Sequence, residues 1–188
     1  MESVMRSLLV LLLLVSFAPG VLAQSRPVAH RGAWISLGYG ADPWWSTCLK
    51  CERVERTVPA GDLGEGGYIA VGGTLNSSLL LGAQVDFWGR QRDSEEVVLF
   101  SGIAQGYPLG GAGLYLKGGV GAGTSSPAGG GTQDRHWGVG LIAGAGYDLR
   151  LYRAWIVSPY LHYVRLTPRR DSPAEKSTLQ FGLALSWY

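Results

Sequence analysis

The chain ends with Leu179-Gln-Phe-Gly-Leu-Ala-Leu-Ser-Trp-Tyr188. Side chains alternate between the two faces of a β-strand, so one face here is continuously apolar. That face carries Leu179, Phe181, Leu183, Leu185 and Trp187, whereas the other carries Gln180, Gly182, Ala184 and Ser186. A barrel strand in lipid has apolar side chains outside and small or polar side chains inside. The stretch therefore predicts a membrane-facing strand.

Residues 1–23 have the pattern of a secretory signal peptide. Arg6 precedes an apolar run over residues 8–15, and Val21-Leu22-Ala23 offers small residues for cleavage. The run is short for a transmembrane helix, although an uncleaved anchor is the alternative. We expect cleavage after Ala23, which leaves residues 24–188 as one domain in an exported protein.

Composition limits the structural and functional classes to which this domain can belong. The chain has 29 glycines among 188 residues, and no helical repeat follows residue 24. Glycine weakens helices and ordinary strands, but it fits where the backbone passes close to bulky groups inside a narrow barrel. A net charge of only +2 does not favour nucleic-acid binding.

The alternation continues along the whole domain and predicts eight strands. They cover residues 33–39, 67–75, 79–88, 96–106, 113–123, 136–148, 154–166 and the terminal strand; the fourth has an ambiguous face. The connections after the odd strands are long and polar, and those after the even strands are short. Transmembrane barrels show this asymmetry, with short periplasmic turns and longer extracellular loops. We therefore predict an all-β, eight-stranded, antiparallel, up-and-down transmembrane barrel.

Aromatic residues form two groups along these strands, as expected for rings at two membrane interfaces. The predicted extracellular group comprises Tyr39, Phe87, Trp137 and Tyr163. The predicted periplasmic group comprises Tyr107, Tyr147, Trp155 and Trp187.

Three stretches carry a family resemblance. Residues 68–83 (YIAVGGTLNSSLLLGA) resemble the second hairpin of small bacterial outer-membrane β-barrel proteins, the OmpA/OmpX-like eight-stranded superfamily. Tyr107-Pro-Leu with residues 113–121 resembles their passage from the fourth to the fifth strand, and residues 180–188 resemble their assembly signal. The resemblance implies a Gram-negative outer-membrane location and insertion by the barrel-assembly machinery. The assembly signal would comprise Phe181, Leu183, Leu185, Trp187 and Tyr188, with Trp187 as the lipid-facing anchor and the role of Tyr188 open.

The predicted interior is plugged, because eight strands leave a space just wide enough for side chains. The polar residues expected there are Gln84, Asp86, Lys117 and His162. A buried charge must be paired or hydrogen-bonded. We therefore predict that Lys117 bonds Gln84, Asp86 or a nearby carboxylate.

Cys48 and Cys51 form the one cysteine pair of the chain. Export through an oxidising compartment favours a disulfide between them, within the first predicted surface loop. A metal site or a redox-active pair are the alternatives. Zinc would need two further ligands, and no histidine lies nearby in the sequence.

Catalysis has weak support. Ser158 and His162 share a face of the seventh strand, but at about 3.3 Å per residue they lie roughly 13 Å apart, too far for a nucleophile and its base. We therefore predict a non-enzyme with no cofactor and no metal.

The leading functional prediction is a monomeric barrel that presents surface loops in the cell envelope. Trp44 and Trp45 in the first loop are the candidates for contact with lipopolysaccharide or a protein partner. The alternatives are a small porin-like channel for ions or apolar molecules, a barrel enzyme that modifies lipid A, and a soluble lipocalin-like barrel. Outer-membrane lipid and lipopolysaccharide are the expected surroundings.

Overall fold

The computed structural model describes residues 32–48, 63–90, 95–109, 113–126, 135–152, 154–168 and 174–188. The predicted signal peptide lies outside these residues. The described strands are β1 (Ala33–Cys48), β2 (Leu63–Asn76), β3 (Leu79–Arg90), β4 (Glu95–Gly106), β5 (Leu114–Ser126), β6 (His136–Tyr147), β7 (Leu149–Tyr152), β8 (Trp155–Pro168) and β9 (Ala174–Trp187). Among the described residues, no helix is long and apolar enough to cross a membrane.

The strands form one closed antiparallel barrel. Each strand from β1 to β6 pairs with the next, β6 pairs with β8, β8 with β9, and β9 returns to β1. The short β7 continues β6 beyond Asp148 and pairs with β8 as well, so the nine segments make eight barrel strands. The predicted eight-stranded antiparallel fold is confirmed.

The interruption between β6 and β7 lies opposite a proline. The pairing stops at Gly146–Tyr160 and resumes in the same register at Leu149–Val157. The Asp148 N–H bonds the Gly113 carbonyl at 2.9 Å, toward β5. By the alternation of an antiparallel ladder, Tyr147 therefore faces Pro159. Because proline has no N–H to donate, the ladder breaks at this pair.

An apolar band covers the outer surface of the barrel. Its large exposed side chains include Ile35, Leu37, Val71, Phe100, Leu116, Val120, Val139, Leu141, Leu161 and Leu183. Tyr39 and Trp137 are exposed toward one edge of the band, and Trp155 and Trp187, which are paired across β8 and β9, toward the other. Tyr107 was expected in the second aromatic group, but it is buried in the interior because its side chain turns inward after β4.

The strands extend further than the alternation predicted. β1 continues past Tyr39 to Cys48, and its end pairs with the start of β9, at Cys48–Ala174. Trp44 and Trp45 therefore lie on β1, paired with Thr178 and Ser177, rather than in the surface loop predicted to begin at Gly40. The connection between β3 and β4 is confined to 91–94, shorter than that between β4 and β5. The predicted alternation of long and short connections is thus only partly present.

Glycines on the inward face of β6 make room for three large side chains. An added Cβ at Gly140 would collide with the Leu99 side chain. At Gly144 it would collide with His162, and at Gly146 with the Tyr115 ring. Interiors are packed as densely as organic crystals, so a side chain on β6 would displace these neighbours.

Candidate functional site

The barrel lumen holds the main concentration of buried polar side chains in the described residues. We call the barrel end formed by the start of β1 and the end of β9 the lower mouth, and the opposite end the upper mouth. Inward side chains from every strand between them are buried, and a contiguous cluster of buried apolar and aromatic residues runs among them. Side chains from all the strands therefore share the narrow lumen of the barrel.

A hydrogen-bonded group around Asp148 lies near the lower mouth. Tyr107 donates its hydroxyl to Asp148 Oδ2 at 2.7 Å, and Ser158 donates to Asp148 Oδ1 at 2.6 Å. Gln105 Nε2 donates to the Tyr107 oxygen at 2.6 Å. Three separate strands or turns are joined here by one buried carboxylate, which orders the residues that line this mouth.

Tyr188 turns inward and covers the lower mouth. Its ring stacks on Trp34 with centroids 6.5 Å apart, and its hydroxyl lies 3.4 Å from that of Tyr107. Its backbone N–H donates to the Ala154 carbonyl at 3.2 Å, which continues the pairing of β9 with β8. Trp187 points outward and is 46% exposed. The two neighbouring aromatics therefore have different roles, Trp187 in the apolar band and Tyr188 in the lumen.

Lys117 occupies the centre of the lumen. Its Nζ donates to Gln84 Oε1 at 3.1 Å, and Gln84 Nε2 donates to Asp86 Oδ1 at 2.7 Å. Nζ also lies 4.2 Å from the centroid of the Tyr68 ring and 5.8 Å from that of Tyr115. Gln84 thus connects a buried cation to a buried carboxylate, and two aromatic faces stabilise the ammonium.

A second polar chain crosses the junction between β9 and β1. Ser186 donates to Ser36 Oγ at 2.8 Å, and the Ser36 hydroxyl lies 3.3 Å from that of Tyr68. Tyr68, Tyr160 and His162 form an aromatic group, with ring centroids 4.6 to 5.2 Å apart. The centre of the lumen is therefore packed with rings and linked to three adjacent strands.

Buried side chains toward the upper mouth include the polar Asp42 and Thr178 as well as apolar ones. The apolar ones are Trp88, Val97, Leu99, Val164 and Leu166, each no more than 2% exposed. The face of β4 that points inward carries Val97, Leu99, Ser101, Ile103 and Gln105. The sequence left this strand ambiguous because Val98 and Phe100, on the outward face, are also apolar.

The lumen does not form a nucleophile–base pair from the residues the structure describes. The Ser158 hydroxyl is bonded to Asp148, and the ring nitrogens of His162 have no hydrogen-bond partner in the described part of the chain. In that same part, no group of three histidine, cysteine or acidic side chains could hold a metal. Chemically, the side chains of the lumen can neutralise buried charges and pack them inside a narrow barrel.

The structure locates the remaining predicted residues as follows. Phe181, Leu183, Leu185 and Trp187 are exposed on the outer face of β9. Cys48 ends β1 and Cys51 lies outside the described residues, so the proposed disulfide stays a prediction. The side chains of Trp44 and Trp45 also lie outside the described part.

Sequence reasoning overlooked Asp148, although a signal for it was present. It follows Gly144 and Gly146 in the inward register of β6, so simple alternation places its side chain in the lumen. Tyr188 follows Ala184 and Ser186 in the same way. In both cases the position at a strand end obscured the pattern.

Solved structures share this architecture. Neisserial surface protein A aligns with 82% of this chain and 99% of its own, at 12% identity and a TM-score of 0.54. The N-terminal β-barrel domain of Pseudomonas aeruginosa OprF aligns with 84% of this chain and 99% of its own, at 10% identity and a TM-score of 0.50. The fold is that of a small outer-membrane β-barrel. No protein-family model matches the sequence of this outer-membrane-type barrel, and the curated proteins give no match.

Proposed function

We propose that the protein is a non-catalytic barrel of the bacterial outer membrane that holds surface loops on a plugged, rigid wall. The observation that carries the proposal is a burial pattern opposite to that of a soluble protein. Phe100 and Leu183 are exposed, whereas Asp86 and Lys117 are buried. Such a surface is stable in lipid and would aggregate in water. It also argues against the lipocalin-like alternative, whose apolar residues would point inward.

The lower mouth faces the periplasm in this proposal. An even number of strands puts both ends of the barrel chain on one side, as in bacterial outer-membrane barrels. The connection between β2 and β3 at this end is a tight turn in which the Ser78 N–H donates to Asn76 Oδ1 at 2.9 Å. The end of β1, the start of β2, the end of β8 and the start of β9 then rise on the extracellular side, where they carry the loops.

The loop-bearing end supports envelope integrity through contact with lipopolysaccharide or a partner. The sequence places Trp44 and Trp45 there, on the extension of β1 that pairs with β9. Arg165 forms an ion pair with Glu175 at the same end, which ties β8 to β9. This rim is a scaffold on which Trp44 and Trp45 would hold a fixed position along the backbone of β1.

Location is tested first. The native protein is expected in the outer-membrane fraction, and its folded form is expected to migrate differently from the boiled form on a gel. A soluble periplasmic product without a mobility shift would contradict the proposal. Purified protein in a planar bilayer is expected to show no steady conductance, and a stable open channel would favour the porin-like alternative.

The surface role is tested separately. A deletion strain is expected to become sensitive to detergent, and the wild-type gene to restore resistance. Complementation with Trp44→Ser/Trp45→Ser is expected to fail although the barrel still inserts. The matched control is Trp44→Phe/Trp45→Phe, which keeps the aromatic rings. Equal complementation by both variants would assign the resistance to the barrel wall rather than to these tryptophans.

A further inference from the structure

Three leucines mark the turns at the lower mouth. Leu75 lies at the end of β2, Leu109 follows β4, and Leu151 lies on β7, so each hairpin connection at this end carries one of them. They are 64–67% exposed, the highest values among the large apolar side chains that the structure describes. Such side chains are stabilised when a hydrocarbon layer covers them. The apolar band of the barrel therefore reaches down to the turns themselves.

A pair of tryptophans marks the same boundary. Trp155 and Trp187 are cross-strand partners on β8 and β9, and both are exposed. Tryptophan is enriched at membrane–water interfaces, where its ring contacts acyl chains and its N–H can bond polar headgroups. Trp155 also pairs with Tyr152, at the end of the hairpin formed by β7 and β8. The lipid headgroups are therefore expected at the level of this hairpin.

Arg150 places a cation at that level. It pairs with Ile156, the chain neighbour of Trp155, and its side chain is exposed. Among the described residues near the lower mouth it is the one charged side chain that is exposed, because Asp148 is buried. A guanidinium group donates paired hydrogen bonds to phosphate oxygens. Arg150 is thus suited to hold the phosphate of a lipid headgroup.

The sequence makes this end of the barrel basic. Arg31 directly precedes Gly32, and Arg153 lies between β7 and β8, although both are outside the described residues. Apart from the buried Asp148, no carboxylate side chain occurs in the segments that form or adjoin the lower mouth, which are residues 24–41, 66–85, 97–116, 149–163 and 179–188. The exposed Glu65 and Glu96 lie toward the upper mouth. A surface with this distribution of charge attracts anions.

A phospholipid matches these observations better than a protein or a polysaccharide does. The three leucines lie on separate turns around the barrel, whereas a protein-binding surface forms a contiguous apolar patch. A polysaccharide would offer hydroxyls to these leucines, whereas a phospholipid offers acyl chains and a phosphate together. We propose that the hairpin of β7 and β8 binds an anionic phospholipid of the periplasmic leaflet. Its phosphate contacts Arg150, and its acyl chains contact Leu151 and Trp155.

The lipid site rests on the proposed outer-membrane location, so its test begins with purified barrel whose folding in micelles is verified by the gel mobility shift. Native mass spectrometry then measures which lipid stays bound when phosphatidylglycerol and phosphatidylcholine are offered in equal amounts. Phosphatidylglycerol is expected to be preferred because its headgroup has a net negative charge. Excess inorganic phosphate is expected not to displace it, since phosphate has no acyl chains.

The outcomes of this measurement separate the two proposals. Equal retention of the two lipids, or displacement of phosphatidylglycerol by phosphate, would overturn the lipid site and leave the outer-membrane barrel intact. A protein that shows no mobility shift would contradict the proposed function, and the lipid site with it.

Variants assign the preference to the hairpin. A cation close to an anionic lipid surface contributes about fivefold in affinity, so Arg150→Gln is expected to lower the preference for phosphatidylglycerol by about that factor. Arg150→Lys keeps the charge and is expected to keep most of the preference. The matched control is Arg135→Gln, because Arg135 is exposed at the opposite end of the barrel, before β6, and it is expected to change nothing. Unchanged preference in Arg150→Gln, or equal losses in the two glutamine variants, would overturn the proposal.

Discussion

The hydroxyls of Tyr107 and Tyr188 lie 3.4 Å apart across the lower mouth, although 81 residues separate them in the chain. Tyr107 also donates to Asp148, so Tyr188 is connected to a buried carboxylate through one intermediate hydroxyl. The residue that follows β9 is therefore part of the lumen, and its neighbour Trp187 belongs to the outer surface.

This difference predicts unequal effects for the two aromatics. Trp187→Ser removes a lipid-facing ring and is expected to lower the fraction of inserted, heat-modifiable barrel more than Tyr188→Ser does. Tyr188→Phe keeps the stacking on Trp34 and loses only the hydroxyl contact, so it is expected to insert normally. Gel mobility of outer-membrane fractions measures all three. Equal or reversed effects of the two serine variants would contradict the assignment of Trp187 to the lipid-facing surface and of Tyr188 to the lumen.

Removal of the Lys117 side-chain charge is expected to lower the free energy of unfolding of the barrel. Lys117→Met leaves the buried Asp86 carboxylate without its compensating charge, and breaking a buried charge pair typically costs about 3–5 kcal/mol. Urea unfolding in micelles, followed by gel mobility, measures this loss of stability. The double variant Lys117→Met/Asp86→Leu is expected to recover a large part of it because the Asp86 carboxylate is then removed together with its compensating cation. A double variant as unstable as the single one would show that packing around Lys117, rather than its charge, sets the cost.

Gly146 and Gly102 differ in the space around their Cβ positions, so alanine substitutions at the two sites can be compared. An added Cβ at Gly146 would collide with the Tyr115 ring, and such overpacking typically costs about 1–3 kcal/mol. Gly102 has nothing within 4 Å of its Cβ position. Gly102→Ala is therefore expected to be neutral or to stabilise by about 0.5–1 kcal/mol, the usual gain over glycine in a strand. The same unfolding measurement distinguishes them, and equal destabilisation would disprove the proposed close packing on β6.

The break in the wall at Pro159 is testable by hydrogen exchange. Pro159→Ala supplies an N–H that faces the Tyr147 carbonyl, so a ladder bond can form there. The new amide is expected to exchange within about tenfold of the Leu161 amide, which also points toward β6. Much faster exchange, close to that of an unstructured peptide, would show that the strands separate at this point for another reason than the missing donor.

Alternation of side chains was sufficient to predict the number of strands and most of their faces. It succeeded for β3, where Gln84, Asp86 and Trp88 are buried and Phe87 is exposed. It was ambiguous for β4, where Val97 and Leu99 face the lumen and Phe100 faces outward, so both faces are apolar. A period-two pattern predicts which face of a strand points inward only where the two sides of the sheet differ in polarity.

The strand ends were harder to predict for a related reason. Asp42 pairs with β2 and Thr178 pairs with β1, yet beyond the apolar band neither face is lined by a continuous apolar row. The pattern that identifies a strand therefore stops at Tyr39, while the backbone pairing continues to Cys48. The partners inside the lumen, such as Tyr107 with Asp148, depend on register around the barrel and are not encoded in any local stretch.

The extension of β1 past Tyr39 has a geometric consequence for anything that approaches the cell. With Tyr39 at the lipid surface, the nine further residues to Cys48 span about 30 Å along the strand, or roughly 20 Å of elevation once strand tilt is included. In the orientation proposed above, a phage, an antibody or a host receptor would then meet the rim of the barrel well above the lipid surface, without having to reach down to the bilayer.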